Sequence, residues 1–151
     1  MKKLVISFIA VFMMMISTAF ASPYPDHLNG DPNYILCDGH MGVAWYVDRS
    51  SLNVQKYAPP QYIIAVNVVT VPDADKGSTA ISQVKTYRFF YNSDLVRMYV
   101  DRNLNDNWSY LDPNGSWAAT GIVMPAGEIA FALAYNYKFY GNFGDEFYNR
   151  I

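Results

Sequence analysis

Reactive side chains are scarce in this chain. Its 151 residues include one cysteine, Cys37, and two histidines, His27 and His40. A lone thiol cannot build a disulfide framework. One thiol and two imidazoles also fall short of the four ligands of a structural zinc site. A cationic excess is missing too, because 11 Lys and Arg stand against 13 Asp and Glu. Nucleic-acid binding asks for a basic face, so no nucleic acid is expected as a partner. Gly-rich phosphate cradles and Gly-x-Ser-x-Gly elbows are absent. The one long apolar run is Leu4 to Ile16, broken only by Ser7.

That run follows the basic start Met1-Lys2-Lys3 and precedes the small-x-small site Ala19-Phe20-Ala21. Basic, apolar and small-residue regions in this order specify a secretory signal peptide over 1–21. The run has about 13 residues where a span needs roughly 20, so no membrane span is expected once the signal is removed. The expected location is the periplasm, the cell surface or the medium. An extended lead-in, 22–33, and a single domain, 34–151, follow. Pro23, Pro25 and Pro32 with Asn29-Gly30-Asp31 break any regular element in the lead-in.

Aromatic residues, by contrast, are abundant at 17%. All 13 tyrosines and all three tryptophans lie beyond residue 21. Such a composition excludes a disordered segment. Tyr34–Cys37 predicts a short strand, Asp38-Gly39 a turn, and Val43–Val47 a second strand with Val43, Trp45 and Val47 on one face. Asp48 is placed to cap a single helical turn through Ser51, with a loop following through Pro59-Pro60. Gln61–Val71 is the clearest strand. Tyr62, Ile64, Val66 and Val68 lie on one side and Ile63, Ala65, Val69 and Val71 on the other, which predicts a central strand covered on both faces. Ile81–Tyr91 and Leu95–Asp101 form a hairpin about Asn92-Ser93-Asp94, and Trp108–Leu111 adds another strand. Pro125–Tyr140 is the one long helix, with Glu128 near the positive end of its dipole and Gly141 as its stop. Strands followed by one helix give an α+β fold: a single antiparallel meander of about five to six strands with a C-terminal helix packed on it.

Cys37-Asp38-Gly39-His40 is the most suggestive local cluster, readable as a thiol–imidazole pair or as a turn with a half-buried thiol. Cys37 is also a candidate free or intermolecular thiol. The acids sit mostly in turn sequences (Asp73, Asp75, Asp94, Asp106, Asp112), where carboxylates bond nearby amides. No catalytic residue, metal ligand or cofactor site is assigned. Trp45, Phe89 and Phe131 are assigned to the core. Tyr62, Tyr99 and Tyr135 are the candidates for a binding surface, because tyrosine joins apolar area to a hydrogen-bonding edge.

Trp45-Tyr46-Val47-Asp48-Arg49-Ser50-Ser51, the long Val/Ile strand and Tyr87-Arg88-Phe89 resemble, in this order, small secreted bacterial domains of the surface-adhesin protein E kind. Tyr110 to Trp117 and Met124 to Glu128 resemble secreted proteins of Gram-negative-staining Firmicutes. The resemblance implies a sheet-plus-helix domain at the cell envelope. Unlike protein E, which is a lipoprotein, this chain has no cysteine at the end of its signal. The expected function is that of an exported, non-enzymatic contact module, with an envelope or host extracellular protein as partner. The alternatives are a periplasmic enzyme or enzyme accessory, and a structural component that self-associates through an uncovered edge strand.

Overall fold

The computed structural model describes residues 22–151; the expected signal peptide, 1–21, lies outside the described residues. Six antiparallel strands cross one sheet in chain order: β1 (Tyr34–His40), β2 (Val43–Ala58), β3 (Gln61–Val71), β4 (Gln83–Asn92), β5 (Arg97–Asp101) and β6 (Ser109–Leu111). Three helices follow, α1 (Trp117–Thr120), α2 (Val123–Tyr135) and α3 (Asp145–Asn149). This is the expected α+β meander with a helix on the sheet.

The front face of the sheet carries the main core. Ile64, Val66, Val68, Phe89, Tyr91, Met98 and Val100 meet Met124, Ala126, Ile129, Ala130 and Phe131 of α2. The helix comes close because Gly127 faces the sheet. A Cβ there would run into Met98 Sδ and lie 2.9 Å from the Phe89 ring, and Tyr91 Oη donates to the Gly127 carbonyl at 2.7 Å. A smaller core lies on the back, where Leu36, Ala44, Tyr46, Val69 and Val71 pack under Leu28 and Ala74. Both faces of β3 are thus covered over 68–71, but the two-sided cover expected for all of Gln61–Val71 stops there, because no element packs on the back beside Ile63 among the described residues.

Several boundaries differ from expectation, each for a local reason. β1 runs through Asp38-Gly39 to His40, and the turn falls at Met41-Gly42, both at positive φ. Asp48–Ser51 is a bulge within β2, not a helical turn. There the Asp48 carboxylate accepts from the Ser50 amide at 3.0 Å, and Ser51 Oγ, accepting from the Asn67 amide at 2.8 Å, replaces a missing ladder bond. β2 then continues to Ala58, so Pro59-Pro60 forms a tight two-residue turn where a loop was expected. Val96, expected on a strand, lies in the β4–β5 turn at φ 49. Helix α2 stops at Asn136, which takes the left-handed conformation, φ 52, and donates to the Ala132 carbonyl at 2.8 Å. The early stop lets the chain turn back onto the sheet, where Tyr140 Oη accepts from Met98 N and donates to Leu111 O, both at 2.8 Å. The lead-in docks as well: Leu28 is buried in a 3-10 turn, and His27 bridges to Ile35.

Candidate binding surface

Tyr62 and Tyr135 come together, whereas Tyr99 lies on the other face of the sheet. Tyr62 and Tyr135 have ring centroids 5.1 Å apart, and Tyr57, opposite Tyr62 on β2, completes the cluster at 5.7 and 5.9 Å. Phe131 links this corner to the core, 4.9 Å from Tyr135. Burial pushes the Tyr135 phenol pKa up, and its Oη is buried without a partner. The group most open to solvent here is Tyr57, 68% exposed, which the sequence reading placed in a loop.

The back face, beyond the small core, carries a rank of one isoleucine and three aromatic rings across four strands. Strand register sets Ile63 opposite Phe90, Phe90 opposite Tyr99, and Tyr99 opposite Tyr110. Ring centroids are 5.7 Å apart for Phe90–Tyr99 and 5.5 Å for Tyr99–Tyr110, and both pairs are tilted. Trp108 joins Phe90 at 5.9 Å. Alternation along each strand places these residues on the same side as Arg88 and Arg97.

Arg88 is clamped in place. Its Nη1 reaches Asp101 at 3.2 Å and Asp106 at 2.7 Å, its Nε donates to Gln55 at 3.0 Å, and its guanidinium lies 5.2 Å from the Trp108 ring centre. Arg97 lies over Tyr110 at 5.8 Å. Asp101 is fully buried and accepts from the amides of Asn103, Asn105 and Asp106. Burial alone would raise its pKa, but those backbone donors outweigh burial and hold the carboxyl below its usual value. Asp101 therefore organises the β5–β6 loop that delivers Trp108. Among the described residues no helix packs against this half of the back face; α2 and Phe147 of α3 belong to the front core.

A third feature is a cleft of about 480 Å³ beside β1, with Cys37, Asp38, Trp117, Met124 and Arg150 in its walls. Cys37 occupies a bulge of β1, is buried, and donates to the Ile122 carbonyl at 3.6 Å. Burial first, and then Asp38, push the thiol pKa well up, with Arg150 opposing. A protonated thiol inside the core is poorly placed for nucleophilic attack or for a cross-link between chains. His40 does not line the cleft; its ring lies 5.0 Å from that of Trp117, whose Nε1 donates to Asp38 at 2.6 Å.

The chain matches no family model, no curated protein and no solved structure.

The geometry therefore carries the functional reading, and two of its acids were misjudged in the sequence. Glu128, expected to serve the helix dipole, is fully buried and accepts from Tyr140 N at 3.0 Å, Gly141 N at 3.1 Å and Tyr148 Oη at 2.8 Å. Asp101 at the end of β5 had no assigned role. Tyr99 was named as a surface candidate from the sequence, whereas Phe90 and Tyr110 were not. The alignment of these three into one rank depends on the register of two strand pairings, β4 with β5 and β5 with β6, which no local signal carries.

Proposed function

We propose that this chain is an exported, non-enzymatic contact module that takes a protein partner of the envelope or of the extracellular surroundings on the uncovered half of its sheet. The observation that carries this reading is the rank Ile63–Phe90–Tyr99–Tyr110, with Trp108 and two arginines held against its rings. Tyrosine, tryptophan and arginine are the residue types that dominate binding energy at protein interfaces. A rim of charge beside apolar rings is the usual anatomy of such a surface. The signal-like start and the resemblance to protein E-like domains support the same reading. Of the two readings of Cys37-Asp38-Gly39-His40, a thiol–imidazole pair has little support, because Cys37 is buried and His40 is exposed.

The test is retention of envelope and extracellular-matrix proteins on the immobilised chain, compared with Tyr99→Ser and Tyr110→Ser. Each variant should keep the circular dichroism spectrum of the parent. Each should also weaken retention of a specific partner by about tenfold or more, the effect of losing an interface anchor. Retention unchanged in both variants would refute this surface as the contact.

A further inference from the structure

β2 is longer than its neighbour. Its pairing with β1 ends at Asp48, while its pairing with β3 continues to Ala58. The arm Leu52–Ala58 therefore has one paired edge and one edge with no backbone partner among the described residues. Val54 is 42% exposed and Tyr57 68%, so this edge is not roofed over. At the Leu52 end of the arm lies a second cleft of about 480 Å³, between Leu52, Leu133 of α2 and Asn136, which caps that helix. Arg49 and Lys138 stand in its walls. Arg49 donates through Nη2 to the Ile151 carbonyl, but its Nε is buried with no partner. Lys138 lies over the Tyr148 ring at 4.1 Å and reaches only the exposed Asp145, at 3.9 Å.

We infer that the free arm of β2 adds an extended peptide strand from a partner protein, with apolar side chains at alternate positions and an acidic residue at the end nearest Arg49 and Lys138. Only an extended strand offers alternating donors and acceptors to such an edge. Every second side chain would turn toward the α2 side, where the cleft at the Leu52 end offers Leu52, Ala132 and Leu133 as apolar wall. The acid matches the two cations, one of which has a buried donor still unused. A second copy of the chain fits less well. The arm carries Lys56 and no acid, so an identical strand would bring no carboxylate to Arg49 and Lys138. This site is separate from the aromatic rank, and the inference does not depend on it.

The experiment titrates the full chain against a short fluorescent peptide of alternating valine and threonine with two glutamates at one end. Its controls are a lysine-tipped twin and two versions N-methylated on alternate amides, one for each edge. Binding should disappear with one methylated version and persist with the other. The glutamate-tipped peptide should bind about tenfold tighter than its twin, a preference that Lys138→Gln narrows. Amides of Leu52–Ala58 should gain protection from hydrogen exchange on peptide addition, in the parent and in Tyr99→Ser alike. Absence of binding at millimolar peptide, equal binding of both methylated versions, or protection elsewhere would overturn the inference. So would a concentration-dependent dimer that protects the arm without peptide, or displacement of the probe by a peptide of residues 1–21.

Discussion

The two faces of the sheet are built from the same strands and spend their aromatic rings differently. On the front, Tyr91 and Phe131 lie 4.8 Å apart and enclosed, and Tyr91 is fully buried with its hydroxyl committed to Gly127. On the back, Phe90 sits next to Tyr91 along β4, and Tyr99 sits between the buried Met98 and Val100 along β5, yet both rings remain half-exposed and meet each other at the surface. The difference arises from what arrives later in the chain. Helix α2 supplies a lid with a glycine at its closest approach, whereas the back receives only Leu28, Ala74 and one loop. The lesson is that alternation along a strand sorts residues into two sets, and a distant element decides which set becomes the core.

The sharpest way to break the front is to remove the carboxylate that holds its last layer. Glu128→Ala leaves two amides and the Tyr148 hydroxyl without their acceptor and empties a fully buried site. It should cost about 3 kcal/mol, at about 1 kcal/mol for each partly buried donor, of which the exposed Gly141 amide recovers most from water, plus the cavity left behind. Chemical denaturation would measure this. A result below about 1 kcal/mol would mean the segment beyond Asn136 is not anchored there. Gly127→Ala should cost about 2 kcal/mol by overpacking against Met98 and Phe89, and should lower the thermal midpoint without altering surface binding.

The back should respond to pH. The carboxyl pKa of Asp101 is lowered in the folded chain, so it contributes stability above its unfolded value, near 4, and that contribution fades as pH falls below it. Asp101→Asn should therefore destabilise the chain at pH 7 and much less at pH 3, with Trp108 fluorescence reporting release of its loop. A penalty independent of pH would assign Asp101 a purely steric role. The front has the opposite dependence. Burial raises the pKa values of Tyr91, Tyr140 and Tyr148, so stability should fall as pH rises above about 10, where the unfolded tyrosines ionise and the folded ones do not. The smallest effect belongs to Tyr99→Ser, which removes one half-exposed cross-strand partner and should cost less than about 1 kcal/mol. A larger loss would show that the rank is a second core.

The meander was legible because each strand carries its own alternation, and Gln61–Val71 shows both faces apolar over one stretch. The helix was legible in type but not in length. Asn136 stops it five residues after Phe131 by taking the left-handed conformation that asparagine, like glycine, adopts at helix ends, whereas the sequence reading assigned that role to Gly141. The turn-back that follows is held by Tyr140 reaching Met98 and Leu111. Asp48-Arg49-Ser50-Ser51 has the composition of a cap and acts as a bulge: the side chains that would cap a helix serve equally to replace a ladder bond. The candidate surface was half legible. Tyr99 was named in advance, but Tyr62 and Tyr135 belong to a separate corner, and only the pairing of β4 with β5 and β6 shows which residues accompany Tyr99.

The last two residues reach far back along the chain. The Arg150 carbonyl meets His27 Nε2 at 3.1 Å, Arg150 Nη1 donates to the Leu36 carbonyl at 3.3 Å, and Ile151 receives Arg49. These contacts join positions more than a hundred residues apart. Contacts of such separation cost the most loop-closure entropy, so they should close late in folding, after the local hairpins and the helix have formed. They tie the lead-in, β1, β2 and the turn around Arg150 into one unit that should open together rather than fray piece by piece.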